Sequence, residues 1–366
     1  MESIHGAESW RLDNGAVSLG VTRVGGMVAP VAFRLGARTV SPYSLAPWRP
    51  DEVDAGLPGL LRTLRGDFFC LPFGQQGEGP PHGEPANLAW EPLEVSDERL
   101  VIALTAADSG ARLERTVALR PDQAAIYHEC RISGLDGRWS YGNHPILDAS
   151  ALPDGAARVS VSPFRWGSVY RGVFSDPEAG ERQCLADGAR FDELGAVPMA
   201  DGGTADLTRW PARPGFEDLV MMVSEPSSES QPFAWSAVVM DGYVWFSLKN
   251  PSDFPATLFW MSNGGRDGEP WNGRHLGRLG VEEVCSHFCD SVEVSRASEL
   301  RREGIPTTRA FRADETVSLR IVQAAAAVPA DFGPVRSITP VDDGRVAIAG
   351  GGGATVEAAV DWSHVL

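Results

Sequence analysis

Between Arg99 and Ile132 the chain reads as three strands in succession, and this stretch constrains the fold more than any other. Arg99-Leu-Val-Ile-Ala-Leu104 is one apolar run. Arg112–Arg120 is a second and stops at Pro121-Asp122. Ala125–Ile132 is a third and runs into Gly134. Apolar segments of this length, divided by turn residues, describe an antiparallel meander. Similar runs recur at Ala16–Val24, Ala157–Val161, Ala234–Met240, Tyr243–Leu248, Thr257–Met261, Leu276–Val284, Val317–Val322 and Ala354–Val360. Asp241-Gly242 between two of them is a hairpin signal, because a tight turn needs a residue tolerant of positive φ. One short helix is expected over Ser295–Glu303, capped by Ser295 and stopped by Gly304. Many strands without alternating helices predict an all-β chain, a large antiparallel β-sandwich.

The remaining composition narrows function. With 40 Gly and 27 Pro, turns are frequent, and 43% apolar residues are enough for a substantial core. The formal charge of −17 is spread along the chain. It opposes nucleic-acid binding, which needs Lys and Arg against phosphates. No apolar stretch approaches the roughly 18 residues of a membrane span. The start, Met1-Glu2-Ser3-Ile4-His5, lacks a basic segment followed by an apolar one, so a cytoplasmic location is expected. Five scattered cysteines do not make a disulfide framework, and Cys285 and Cys289 have no second pair with which to hold zinc. Residues 1–325 are expected to form one sandwich domain. Residues 326–366, marked by Pro329, Pro334, Pro340 and the Gly350–Gly353 run, are expected to add one or two strands packed on it.

Three segments place ionisable residues beside aromatics and glycines, as a concave sugar site does. The first is Arg65-Gly-Asp-Phe-Phe-Cys-Leu-Pro-Phe-Gly74 followed by His82-Gly-Glu-Pro-Ala-Asn-Leu-Ala-Trp90. The second is Tyr141-Gly-Asn-His-Pro-Ile-Leu-Asp148. The third runs from Trp260 through Pro270-Trp-Asn-Gly-Arg-His275 to Leu279-Gly-Val-Glu-Glu-Val-Cys285. In order and rough spacing this set resembles the aldose 1-epimerase, or galactose mutarotase-like, family, over about residues 15 to 325. The resemblance implies His82, His144 and Glu282 as catalytic residues, with no metal and no cofactor. Glu282 is preferred to Glu283 because it directly follows Val281, and the two point to opposite sides of a strand. Substrate contacts are expected from Arg65, Asn87, Asp148, Trp271, Asn272 and Arg274. Ala86 departs from the pattern where many members carry an arginine; Arg65, Arg266 or Arg274 is expected to replace it. The implied activity is interconversion of sugar anomers by acid–base ring opening. The implied partner is a monosaccharide or sugar phosphate, and the chain is expected as monomer or homodimer.

Each residue also has a plainer reading. His128 sits within a strand and reads as structural. Asp148 either orients His144 or caps a turn. Glu282-Glu283 also reads as a pair of solvated edge charges. Loss of turnover, as Ala86 suggests, would leave a carbohydrate-binding protein on the same fold.

Overall fold

The computed structural model describes residues 1–366 and consists mainly of antiparallel strands. The meander is present as Arg99–Thr105, Arg112–Leu119 and Ala125–Ser133, and Val117 lies between Leu100 and His128 on its two neighbours. These strands end a nine-stranded sheet. From edge to edge it runs Arg209–Trp210, Ala157–Val161, Ala234–Met240, Tyr243–Lys249, Val317–Ala327, Ala125–Ser133, Arg112–Leu119, Arg99–Thr105 and Glu91–Val95. Met240 pairs with Tyr243 across the Asp241-Gly242 turn, where Gly242 takes a φ of 73°.

A second sheet carries the candidate site. Its order is Arg190–Phe191, Phe164–Val169, Phe216–Ser224, Ala256–Asn263, Arg278–Cys285, Tyr141–Asn143 and Phe69–Cys70, with Ile146–Asp148 also paired to Arg278–Cys285. Residues from both sheets, Val117 and Ile321 with Phe259 and Val281, share one buried apolar cluster. A five-stranded sheet over Glu2–Val40 adds Trp10, Leu12 and Phe33 to it.

The nine-stranded sheet is covered on its other face too. Along a strand, neighbouring side chains face opposite sides. Trp245 and Ile321 accordingly join the inter-sheet core, while Phe246 and Val322 pack outward against Ile338 and Ile348. Those two belong to a separate three-stranded sheet, Val335–Asp342, Arg345–Gly350 and Thr355–Ala359, so the C-terminal segment contributes three strands instead of one or two. Burial on both faces explains why Tyr243–Leu248 reads as an almost unbroken apolar run.

Helices are short. Val292–Ala297 is capped by Ser291, whose Oγ accepts from Val294 N, and a 3₁₀ segment over Glu299–Glu303 ends at Gly304 in the left-handed conformation. The cap is therefore Ser291. Ser295 is buried, and its Oγ accepts from His287 N at 3.1 Å. Gly59–Thr63 forms a one-turn helix without a sequence signal. No helix is long and apolar enough to cross a membrane.

Candidate functional site

Strand pairing brings two of the three proposed catalytic residues together. Asn143 pairs with Glu283 and Ile146 with Gly280, both on Arg278–Cys285, which sets His144 across from Glu282. Directly opposed side chains on one face are close enough to interact. His144 Nε2 lies 3.3 Å from Glu282 Oε1. His82 arrives from a loop. Its N donates to Gly74 O at 2.8 Å, and its Nδ1 accepts from Gly74 N at 3.3 Å. A ring nitrogen that accepts carries no proton, so Nε2 bears the hydrogen of the neutral ring and is the donor that His82 can offer. The two imidazoles meet edge to face, with centroids 5.0 Å apart.

The three residues line one cavity of about 310 Å³, near the lower end of the ~300–1,000 Å³ usual for ligand pockets. Phe68 stacks on His144 at 4.6 Å, and Trp260 stands edge-on to it at 5.8 Å. This apolar surrounding disfavours charge. Burial pushes His82 down to about 4 and holds His144 well below the usual imidazole range, with His82 as a lesser cause. Burial alone holds Glu282 well above the usual carboxylate range. His144 Nδ1 is buried with no protein partner, which also disfavours an imidazolium. Burial thus favours the uncharged form of both members of the Glu282–His144 pair.

Glu283 faces the other way. Its Oε1 accepts from Ser236 Oγ at 2.9 Å, and its Oε2 accepts from Thr257 Oγ1 at 2.7 Å and from Lys249 Nζ at 2.6 Å. Glu282 and Glu283 are 2% and 0% exposed, so neither is a solvated edge charge. His128 lies between the sheets, 3.8 Å from Asp67 Oδ2 and away from the cavity.

Of the six expected substrate contacts, Trp271 lines the cavity and the other five do not. Arg65 donates to Thr63 O, Ile4 O and His5 O, tying down the first hairpin. Asn87 Nδ2 donates to Pro81 O and Gly83 O, and its Oδ1 accepts from Leu60 N, so it braces the His82 loop from behind. Asp148 pairs with Arg278 and bonds Ser150, and it does not orient His144. Arg274 donates to Pro47 O and Pro270 O. Asn272 is a turn residue with a φ of 47°. Ala86 is fully buried in an apolar cluster with Met27 and Leu60. Among the three candidate replacements, Arg266 is the arginine in the cavity. Its guanidinium carbon sits 4.9 Å from the Trp271 ring centroid and 5.5 Å from that of Trp260.

Sequence reading passed over Gln75, Phe174, Glu181 and Cys289, which also line the cavity. Glu181 and Phe174 had no signal, since they belong to a loop outside the three segments. Cys289 stands out in the sequence only by its spacing from Cys285, which lacks the second pair a zinc site needs. Behind the wall, Glu217 accepts from Trp260 Nε1 at 3.1 Å, Ser262 Oγ at 2.9 Å and Gly265 N at 3.1 Å. Burial raises this carboxyl to about 7 although these donors and Arg266 oppose the rise.

No family model and no curated protein sequence matches this chain. Solved structures do match in shape. One is from Escherichia coli K12, described provisionally as an aldose 1-epimerase. It has a TM-score of 0.60 and 13% identity, covering 88% of this chain and all (100%) of that one. A galactose mutarotase related enzyme from Lactobacillus acidophilus has a TM-score of 0.55 and 9% identity, over 88% and 98% of the two chains. A galactose mutarotase-like protein from Lactobacillus casei has a TM-score of 0.53 and 14% identity, over 87% and 100%. At such identities the likeness is one of architecture: this chain has the galactose mutarotase-like β-sandwich.

Proposed function

We propose that this protein is a cytoplasmic aldose 1-epimerase that interconverts the α and β anomers of a monosaccharide. The observation that carries the reading is the convergence of His82, His144 and Glu282 on one aromatic-walled cavity. Anomer exchange needs a base for the C1 hydroxyl proton and an acid for the ring oxygen, held on either side of one carbon. Burial favours the protonated form of Glu282 and the neutral form of His144. A bound sugar brings hydroxyls that supply the missing polar partners, and the proton of Glu282 passes to His144 across their 3.3 Å contact. Glu282, now a carboxylate, takes the C1 hydroxyl proton. The C1–O5 bond breaks as the C1 carbonyl forms, and His144 delivers its proton to O5. His82 donates from Nε2 to the oxygen that gains charge. Rotation about C1–C2 and reversal of the steps gives the other anomer.

The test is exchange NMR on pure sugar anomers. Glu282→Gln abolishes accelerated exchange while sugar binding persists, because the amide keeps the size and polarity of the side chain and cannot take the proton. Turnover within about tenfold of wild type in that variant defeats the assignment, since a positioned acid–base group contributes ~10²–10⁴-fold.

A further inference from the structure

The wall of the cavity formed by Trp260, Trp271 and Arg266 carries charge that ring opening does not use. Arg266 is the single Arg or Lys among the lining residues. Its Nε is buried without a hydrogen-bond partner, 3.4 Å from Glu181 Oε1 and 3.9 Å from Glu217 Oε2. The aromatic rings of Trp260, Trp271 and Phe174 surround the guanidinium, with centroids 5.5, 4.9 and 5.4 Å from its carbon. A guanidinium held this way with no carboxylate beside it would be a fork for phosphate. Here Glu181, itself a lining residue, stands beside it.

We infer that Glu181 is the specificity-determining residue of this cavity: its carboxylate offsets Arg266, so the site admits an uncharged aldose and turns away sugars bearing phosphate or carboxylate. The inference rests on the sugar-site reading above. A phosphate dianion drawn to Arg266 would come within reach of Glu181. No second cation would compensate: Arg266 is the only Arg or Lys in the lining, and the His144–Glu282 pair has no net charge whichever of the two holds the proton. The chain's charge of −17 adds long-range repulsion. A pair of sugar hydroxyls suits the same wall: one oxygen accepts from the guanidinium while a neighbouring hydroxyl donates to Glu181, satisfying both groups.

The experiment measures anomer exchange and binding by NMR for glucose, galactose and their 6-phosphates, on wild type, Glu181→Gln and Glu181→Asp. The expected result is that the 6-phosphates bind wild type at least tenfold more weakly than the free sugars. Glu181→Gln narrows that ratio by tenfold or more, and Glu181→Asp, which keeps the charge, retains it. Equal or tighter binding of the 6-phosphates by wild type overturns the inference, as does an unchanged ratio in Glu181→Gln. If none of the four sugars binds, the sugar-site reading itself fails and this inference falls with it.

Discussion

Lys249 is the only lysine in the chain, and it is buried. Its Nζ contacts Glu283 Oε2 at 2.6 Å, Thr257 Oγ1 at 2.7 Å and Ala256 O at 2.7 Å. Thr257 sits directly opposite Glu283 in its own sheet, while Lys249 and Ser236 reach Glu283 from the other sheet. The carboxylate therefore pins Arg278–Cys285 to the sheet facing it. Replacing Lys249 by Met leaves a fully buried carboxylate with two hydroxyl donors and no cation. Removing one partner of a buried ion pair costs about 3–5 kcal/mol. For a chain of this length, at ~2.1 cal/mol/K of unfolding entropy per residue, a loss of 4 kcal/mol lowers Tm by about 5 °C. Glu283→Gln alone is expected to cost a similar amount by stranding the ammonium. The double variant Lys249→Met/Glu283→Gln removes both charges and should recover at least 1–2 kcal/mol against the sum of the single losses. Urea unfolding of the four proteins measures this cycle. Single losses below 1 kcal/mol, or strictly additive losses, would refute the idea that this pair fixes the strand.

Glu217 has its carboxyl raised to about 7 by burial, so the native state holds that proton over a pH range in which the unfolded chain has released it. Its contribution to stability is thus greatest in acid and is lost as pH rises from about 4.5 to about 7. Relative to Glu217→Gln, wild type should be less stable at pH 8 than at pH 5, by an amount on the order of 2–3 kcal/mol; an equal difference at both pH values contradicts the burial argument. Ile348, fully buried between the C-terminal sheet and the nine-stranded sheet, should cost about 2–5 kcal/mol on replacement by Ala, measured by urea unfolding. A loss under 1 kcal/mol would mean that the C-terminal sheet is not part of the cooperative core.

How far the sequence could be read depended on the distance over which each feature is decided. Alternation and turn residues are local, so the meander and the Asp241-Gly242 hairpin were visible residue by residue. The two strands Val335–Asp342 and Arg345–Gly350 were not, because Pro340 and a run of small residues weaken the strand pattern. They are held as strands by the apolar outer face of the neighbouring sheet. The arginines show the same limit more sharply. Arg65, Arg266 and Arg274 are chemically identical in a sequence. Arg65 is taken up by carbonyls of Thr63, Ile4 and His5, and Arg274 by those of Pro47 and Pro270. Only tertiary structure shows which guanidinium is left for a cavity.

The adjacent glutamates show how a site can depend on residues that never touch its contents. Strand geometry alone requires Glu282 and Glu283 to face opposite ways, and it does not say which faces the cavity. That choice is made by Lys249, 34 positions away from Glu283, with Ser236 and Thr257. A shift of one residue in the register of Arg278–Cys285 that placed Glu283 against His144 would bring Val284 opposite Thr257, where Glu283 now meets the ammonium, and carry Glu282 to the place of Val281 opposite Phe259. Lys249 would be left buried without its carboxylate, and a carboxyl would enter the apolar core. Packing opposes the slip as well. The same slip turns Val281, now in the inter-sheet core, toward the cavity side, and Gly280 into the core. It would also break the pairing of Leu279 with Met261 and of Val281 with Phe259. The apolar alternation on either side of the glutamates, together with the Lys249–Glu283 ion pair, thereby holds Glu282 within reach of His144.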